Sequence, residues 1–521
     1  MIPDYYLGID IGTHSSRGIL LDKRFEVAAD VSCPHGMENP HPGWFEHDAK
    51  KVWWHDFCWL THEIIDRAKI APAQIACIGL SALGTDCVPV DEHCEPLRPA
   101  ILYGIDARAL EEQELLTSEY GSKRVQELFG HQLSSGDTAT KIYWIARHEP
   151  DVYARTYKFL TGSSFICARL TGKYVIDRSL AEGSFRPIYR MLSGEIDADE
   201  CRRYCRLDQI ATPMNSTDIA GKVTARAADE TGLVEGTPVI CGTGDSAAEG
   251  VSCGLVTPGT LFVQYGSTMY YYYCIDRPAM NFVSQTNLGT LRGGRIFTVP
   301  GTFSLGDGTN AAGTLTEWVR KTFYGKELAA EAAGGPSVWD VMQREAAVVP
   351  AGSRGLMMLP YIYGERSPLQ DPDALGMYFG LKGGHGRAEC NRAALEAVGY
   401  STLQHLQLFE EMGLPTSQVI VAGGGTKNIT WMHIIADVIG LPVHMPHAHA
   451  CSAYGDALMA AIGIGAIRNF EAIRDIIPEG TVIEPNEGNH TLYKQLFPIF
   501  LRLYHDNKKS MHELAHICSD L

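Results

Sequence analysis

Two segments, 6–22 and 260–274, share one design: an apolar run, a tip of glycine and hydroxyl residues, and a second apolar run. In the first, Tyr6-Leu7-Gly8-Ile9-Asp10-Ile11 leads into Gly12-Thr13-His14-Ser15-Ser16 and then Gly18-Ile19-Leu20-Leu21. In the second, Thr260–Tyr265 leads into Gly266-Ser267-Thr268 and then residues 270–274. Each reads as a β-hairpin with a glycine- and hydroxyl-rich tip. A unit repeated at the head of two long stretches predicts a duplicated architecture. We therefore expect two domains, residues 1–254 and 255–521. No Pro- or Ser-rich linker separates them, so the two halves should meet across a cleft.

The stretches after the hairpins alternate strand and helix patterns, which predicts an α/β fold. Asp48 is placed to cap a helix running to about Ala68, with Val52, Trp53, Leu60, Ile64 and Ile65 as its apolar stripe. Residues 76–81 and 88–90 read as buried strands. Thr224 caps a short helix, Ala225–Thr231, that Gly232 ends. A strand over 238–241 then runs into Gly242-Thr243-Gly244-Asp245, and one over 419–422 into Gly423-Gly424-Gly425 and a helix through 431–439.

Bulk properties narrow the partners. The net charge of −17 is spread along the chain, which argues against nucleic acid. The N-terminus lacks a basic and apolar leader pattern, and no apolar stretch approaches the ~20 residues of a membrane helix. The 14 cysteines form no C-x-x-C pair and read as reduced core thiols, so the expected setting is cytoplasmic, with no membrane partner.

Glycine lets backbone amides approach a phosphate, and hydroxyls add donors. Gly12, Thr13, Ser15 and Ser16 form one such tip, and Gly266, Ser267 and Thr268 a second. The third candidate, Gly423 to Asn428, opens a helix and offers a flat wall for a purine. Taken singly, each is a tight turn; together they suggest a nucleotide. Asp10, at the end of the first strand, is placed to hold Mg²⁺. Asp245, after its Gly-Thr-Gly turn, is placed to take a proton from an attacking hydroxyl, or to cap the helix that follows. No Gly-Lys pair is followed by Ser or Thr, and neither G-x-G-x-x-G after a strand nor H-R-D occurs. Walker A, Rossmann and protein-kinase sites are thereby excluded. His512-Glu513-Leu514-Ala515-His516 matches the zinc-peptidase pattern, but only five residues follow it. It reads as the end of a terminal helix and not as a catalytic centre. His444, His447 and His449 read as a polar loop after a strand.

With these residues assembled, the chain resembles the FGGY carbohydrate kinases along essentially its whole length. Gly8-Ile9-Asp10-Ile11-Gly12-Thr13 matches that family's first phosphate loop, and His41-Pro42-Gly43-Trp44-Phe45-Glu46 its N-terminal stretch. Residues 136–148 fit its first signature, Gly244-Asp245 its catalytic aspartate, and Gly364-Glu365-Arg366-Ser367-Pro368 with Asp371-Pro372 its later segment. Residues 376–396 follow the second signature except at Cys390 and Ala394. The resemblance implies two actin-like, ribonuclease-H-like domains closing over Mg-ATP and a small sugar or polyol. It implies that Gly266, Ser267 and Gly313 line the phosphate end, that Gly424, Gly425 and Asn428 hold the adenosine, and that Asp245 is the general base and, with Asp10, a metal ligand. The sugar-facing strand, Gln-Met-His in xylulose kinases and Gln-Arg-Glu in glycerol kinases, here reads Leu83-Gly84-Thr85. A usual tryptophan is replaced by Gly104 ahead of Asp106 and Arg108. The resemblance thus implies a sugar site at Gly84, Thr85, Asp106 and Asp245 that has lost bulk and the glycerol clamp. A ketopentose such as xylulose is the expected acceptor, with erythritol, ribitol, ribulose or gluconate as alternatives. An actin-like ATP sensor without an acceptor is the competing class. Oligomeric state is not read from the residues; a homodimer is the state to test.

Overall fold

The computed structural model describes residues 4–518. Two seven-stranded sheets organise it. The first holds β1 (Tyr5–Ile11), β2 (Ser15–Asp22), β3 (Val27–Pro34), β4 (Ile75–Ala82), β5 (Ile219–Lys222), β6 (Pro238–Ile240) and β7 (Thr243–Gly244). Its order is β5-β6-β4-β1-β2-β3, with β7 also beside β4. The strands β1, β2 and β3 form an antiparallel meander, whereas β4 lies parallel to β1, and β6 parallel to β4.

The second sheet repeats this plan with β8 (Thr260–Tyr265), β9 (Met269–Ile275), β10 (Arg295–Ile296), β11 (Phe303–Thr309), β12 (Gln418–Ala422), β13 (Val443–Met445) and β14 (Thr481–Ile483). Here β8, β9 and β11 form the meander, β12 lies parallel to β8, and β13 parallel to β12. The duplication expected from the two hairpins is therefore present as two copies of one strand order. Both hairpins form, with Asp10 opposite Arg17 and Tyr265 opposite Met269; Ser15 and Ser16, expected in the first tip, belong to β2.

Local signals act where the sequence placed them. The Asp48 carboxylate accepts from the amides of Lys50 and Lys51 at 3.1 and 3.0 Å. The first turns, Ala49–Trp54, are wound wider than an α-helix, and the chain becomes α-helical only at α1 (His55–Ala68). Trp53, Leu60 and Ile64 of the expected stripe are fully buried. Thr224 accepts from the Ala227 amide at the start of Ala225–Thr231, and Gly232 ends that helix in the left-handed region. Residues 88–90 form a strand, though it pairs outside the main sheet, with Lys158–Leu160.

What joins the two sheets is a helix pair. The first, α2 (Asp245–Ser252), follows β7, and the second, α3 (Ser452–Gly463), comes from late in the chain. They pack on each other, and α3 lies across β1, β2 and β4 of the first sheet. A third apolar core fills this layer, taking Tyr6, Ile19 and Cys77 from the first sheet and Phe262, Cys274 and Ile420 from the second. So the last quarter of the sequence contributes a helix to the first sheet.

This contact is backbone against backbone. A Cβ on Gly79 of β4 would stand 1.9 Å from the carbonyl oxygen of Asp456 in α3, and one on Gly455 would stand 2.0 Å from that of Ala248 in α2. Neither neighbour is a side chain that can swing away. Gly79→Ala should therefore destabilise the protein by about 1–3 kcal/mol through overpacking. Gly384, around which an added Cβ meets nothing within 4 Å, is the control, and Gly384→Ala should stay within about 0.5 kcal/mol. Denaturant midpoints of the two variants check this; equal midpoints would sink the packing argument.

Candidate active site

Three strands of the first sheet end at one level. Ile11 of β1 lies opposite Ala82 of β4, and Gly244 of β7 lies opposite the same Ala82. The residues just beyond are therefore neighbours: Gly12 after β1, Leu83-Gly84-Thr85 after β4, and Asp245 after β7. Carboxyl ends of parallel strands are where open α/β sheets place ligands, because side chains there point out of the sheet rather than into its core.

Asp245 is half-buried and opens α2, so its carboxylate faces the positive end of that helix. Its Oδ1 accepts from the Ser246 amide at 2.6 Å and from the Ser246 hydroxyl at 3.2 Å, which leaves Oδ2 without a hydrogen-bond partner among the described residues. The two sequence readings of Asp245 thus coincide: it starts a helix and presents an oxygen.

Asp245 is one of four neighbouring buried or half-buried carboxylates. The Ser81 hydroxyl lies 2.8 Å from Asp10 Oδ1 and 2.7 Å from Asp456 Oδ2. One hydroxyl proton cannot serve both acceptors, so one of the two acids is protonated. Asp456 is fully buried and its other oxygen has no partner, which makes it the neutral member. Burial, then repulsion from Asp10, raises it well above the usual carboxylate range. Burial and then Asp245 raise Asp10, while burial raises Asp245. Glu249, one helical turn after Asp245, is pushed up to about 7 by burial and by Asp245. Such mutual repulsion is what a dication relieves, and hard carboxylate oxygens suit Mg²⁺. The donor set therefore fits the metal that the resemblance implies.

Sequence reasoning missed Ser81, Glu249 and Asp456. The four-residue spacing from Asp245 to Glu249 was a usable signal. An aspartate inside the otherwise apolar Ser452–Gly463 helix was another.

The second hairpin tip builds a different wall. The Gly266 amide donates to the Thr268 carbonyl at 3.0 Å, and the Gly313 amide donates to the Gly266 carbonyl at 2.9 Å. A Cβ on Gly313 would sit 2.5 Å from that carbonyl, so the helix Gly313–Phe323 docks here only because residue 313 has no side chain. Gly266, Ser267, Gly313, Gly424, Gly425 and Asn428 line one cavity of about 880 Å³, a volume in the range of cofactor sites. Thr268 closes the turn and is not part of this wall. Asn428 also caps the helix Ile429–Ile439, its Oδ1 accepting from the Trp431 amide at 3.0 Å. Trp318 and Trp339 line the cavity as well, and no sequence pattern marked them.

At the first tip, the Gly12 amide donates to the Ser15 carbonyl at 3.1 Å, Thr13 lies near the Tyr103 hydroxyl, and Ser15 is exposed. Ser16 corrects the sequence reading. Its hydroxyl turns inward to Asp56 at 2.8 Å and is fully buried, because the pleat sends alternate residues of β2 to the core. His35 ties Asp56 to the Gly12 carbonyl, at 2.7 and 3.0 Å.

Where the sequence leads us to expect the sugar, Gly84 and Gly244 both face Leu180, and added Cβ atoms would lie 3.3 and 3.2 Å from Leu180 Cδ2. Thr85 has a left-handed φ of 61°, and the buried Lys141 ammonium donates to its carbonyl. Asp106 does not reach this space. It is 1% exposed, and its carboxylate accepts from the Phe45 amide at 2.7 Å and from Arg108 Nη2 at 2.7 Å. Arg108 is itself stacked on Trp44 and Trp144, at 4.4 and 5.3 Å, and paired with Glu46. Asp106 thus orders the wall without facing the acceptor, since a buried carboxylate this well paired has no free acceptor to offer. Gly104 is exposed, and a Cβ there would meet nothing within 4 Å. His444, His447 and His449 form no common ligand set among the described residues; His449 faces Asp30 and His447 packs on Tyr454.

The carboxylate cluster has a stability consequence. A carboxyl raised in the folded protein costs nothing where both states are protonated, and its full penalty appears above its folded value. Asp10→Asn should therefore stabilise the metal-free protein at pH 8 by on the order of 1–2 kcal/mol, with the gain fading toward pH 4. Denaturant unfolding in chelator at both pH values reads this out. A gain that does not depend on pH would contradict the electrostatic origin.

Residues 5–251 match the N-terminal domain of the FGGY family of carbohydrate kinases, and residues 286–464 match its C-terminal domain. The chain is 26% identical to the xylulose kinase of Bacillus subtilis over 506 residues, covering 97% of each. It is 27% identical to the gluconokinase of the same organism over 506 residues, covering 96% of this chain and 95% of that protein. The crystal structure of xylulose kinase from Rhodospirillum rubrum superposes with a TM-score of 0.85 at 28% identity, over 98% of this chain and all of that one. The chain belongs to the FGGY family of carbohydrate kinases.

Proposed function

We propose that this kinase transfers the terminal phosphoryl group of Mg-ATP to a hydroxyl of a ketopentose, xylulose being the first candidate, with Asp245 as general base. The observation that carries the reading is the shared level of the strand ends, which sets Asp245 beside Gly84 and Thr85 at one edge of the cluster of carboxylates. Relatives that carry the name xylulose kinase support the acceptor. Asp245 Oδ2 takes the proton while Oδ1 stays bonded to Ser246, which fixes the carboxylate's orientation. Phosphoryl transfer demands little covalent chemistry of the protein, so positioning and charge neutralisation dominate. Mg²⁺, held through Asp10 and Asp245, would neutralise charge on the phosphates. Gly266, Ser267 and Gly313 would bind the phosphate end, with Gly424, Gly425 and Asn428 at the nucleoside. Among the described residues no helix is long and apolar enough to cross a membrane, and we place the activity in the cytoplasm.

A second acceptor class has one observation in its favour. Arg295 of β10 pairs in register with Ser304, on the face of the sheet that carries Tyr270 and Tyr272 and that Gly306 and Gly308 leave bare. It makes no hydrogen bond or ion pair among the described residues, and Nη1 lies 3.9 Å from where a Cβ on Gly183 would be, in the helix Arg178–Ser184 that carries Leu180. A cation so placed suits the carboxylate of a sugar acid such as gluconate.

The deciding measurement is ADP release with Mg-ATP against xylulose, ribulose, ribitol, erythritol, glycerol and gluconate. Turnover on a ketopentose supports the first reading, and turnover on gluconate alone replaces it with the second. Response to none of them would favour an ATP sensor. On the accepted compound, Asp245→Asn should lower kcat by about 10²–10⁴-fold with folding intact. Full turnover in that variant would remove Asp245 as the base.

A further inference from the structure

The H-E-x-x-H sequence near the C-terminus meets partners that sequence alone could not supply. Glu487–Ile517 is a single helix, and its His512 and His516 stand one turn apart on one face. That face looks onto the turn Asp371-Pro372-Asp373. His512 Nε2 lies 2.8 Å from both oxygens of Asp371, and His516 Nε2 lies 3.2 Å from Asp373 Oδ2. The ligand atoms of Asp371, Asp373 and His512 all fall within 4.8 Å of one another.

We propose that Asp371, Asp373, His512 and His516 form a structural site for a tetrahedral transition-metal dication, zinc by preference, which clamps the C-terminal helix to the 371–373 turn. Two ligands of one tetrahedral zinc stand about 3.3 Å apart, given bonds of 2.0–2.1 Å. The Asp371–His512 and Asp373–His516 pairs at 2.8 and 3.2 Å need open only slightly, while His516, outside the set that lies within 4.8 Å, must swing toward Asp371 and His512 to complete the tetrahedron. Two imidazole nitrogens with two carboxylate oxygens suit zinc, cobalt or nickel better than magnesium or calcium, which take oxygen alone.

The acceptors are held before any ion arrives. Asp371 and Glu365 exchange backbone hydrogen bonds, both at 2.8 Å. The Tyr504 hydroxyl donates to Asp371 Oδ2 at 2.6 Å, and the Asp373 amide donates to Asp371 Oδ1 at 3.2 Å. Outer partners of this kind orient a ligating carboxylate. Lys508 Nζ, 3.5 Å from Asp371 Oδ2, is the competing cation. Its side chain is half-exposed, so it can withdraw into solvent. Glu513, the residue a peptidase would use as a base, is 61% exposed and faces Lys509 at 3.8 Å. With that carboxylate drawn to a lysine, the site clamps and does not hydrolyse.

The test uses the full-length, tag-free protein, stripped with chelator and without nucleotide. Zn²⁺ is titrated calorimetrically, and Co²⁺ is followed by its visible absorption as a reporter of tetrahedral geometry. One equivalent of Zn²⁺ should bind at micromolar affinity or tighter, with a tetrahedral Co²⁺ spectrum and a raised thermal midpoint. His512→Ala and His516→Ala should each weaken binding at least tenfold, and Asp373→Asn, at a partly exposed position, should do the same without loss of fold. Absence of stoichiometric binding, or binding indifferent to both histidines, would overturn the proposal and leave two ordinary His–Asp pairs. Neither outcome bears on sugar phosphorylation, which the ADP-release assay reads separately.

Discussion

The close approach of α3 to the first sheet is the contact on which the rest of this molecule depends. It is made without a side chain at Gly79, and the packing of α3 on α2 without one at Gly455, so in each case two backbones come nearer than any Cβ would allow. Dispersion between such surfaces is small per atom pair and large in sum, and a close-packed interface tolerates no added methyl group. Because α3 also packs on α2, the contact fixes the first turn of α2, where Asp245 sits. It also carries Asp456 to Ser81 beneath Asp10. The layer that joins the two sheets is thus also the layer that supports the acidic site.

That arrangement is costly in the absence of a ligand. Asp10, Asp245, Glu249 and Asp456 are gathered where burial and mutual repulsion raise their proton affinity. Proteins hold like charges together mainly at functional sites, and the excess is relieved when a cation or proton enters. The Ser81 hydroxyl between two carboxylates shows that one proton is already present. The same electrostatics that weaken the empty protein would favour a dication and keep Asp245 a competent base near neutral pH.

The wall beyond Gly84, where we propose that the sugar binds, is organised by the opposite device, full internal pairing. Arg108 lies over the Trp44 ring and beside Trp144 and is bonded to Asp106 and Glu46, so a rigid polar knot backs the wall beyond Gly84. Gly104 leaves open space in front of it, while Gly84 lies close against Leu180.

Much of this was legible in the sequence because it is local. The hairpin tips, the Asp48 and Thr224 caps, and the triple glycine before residue 429 follow from neighbours a few residues apart, whose conformations are set by sterics and short hydrogen bonds. The duplicated strand order followed from recognising one hairpin twice. Contacts across long chain separations were not legible. Nothing near residue 456 announces that α3 belongs against the first sheet, and nothing near residue 106 tells that its carboxylate is taken by Arg108 and not by a sugar. The inward turn of Ser16 and the meeting of His512 with Asp371 were equally hidden. Sequence by itself determined which residues can cradle a phosphate or give and take a proton, since that is a property of residue type and turn geometry. Tertiary structure alone decided which carboxylates share a proton, which are already paired and which face open space, because burial and charge proximity arise only when distant segments pack together.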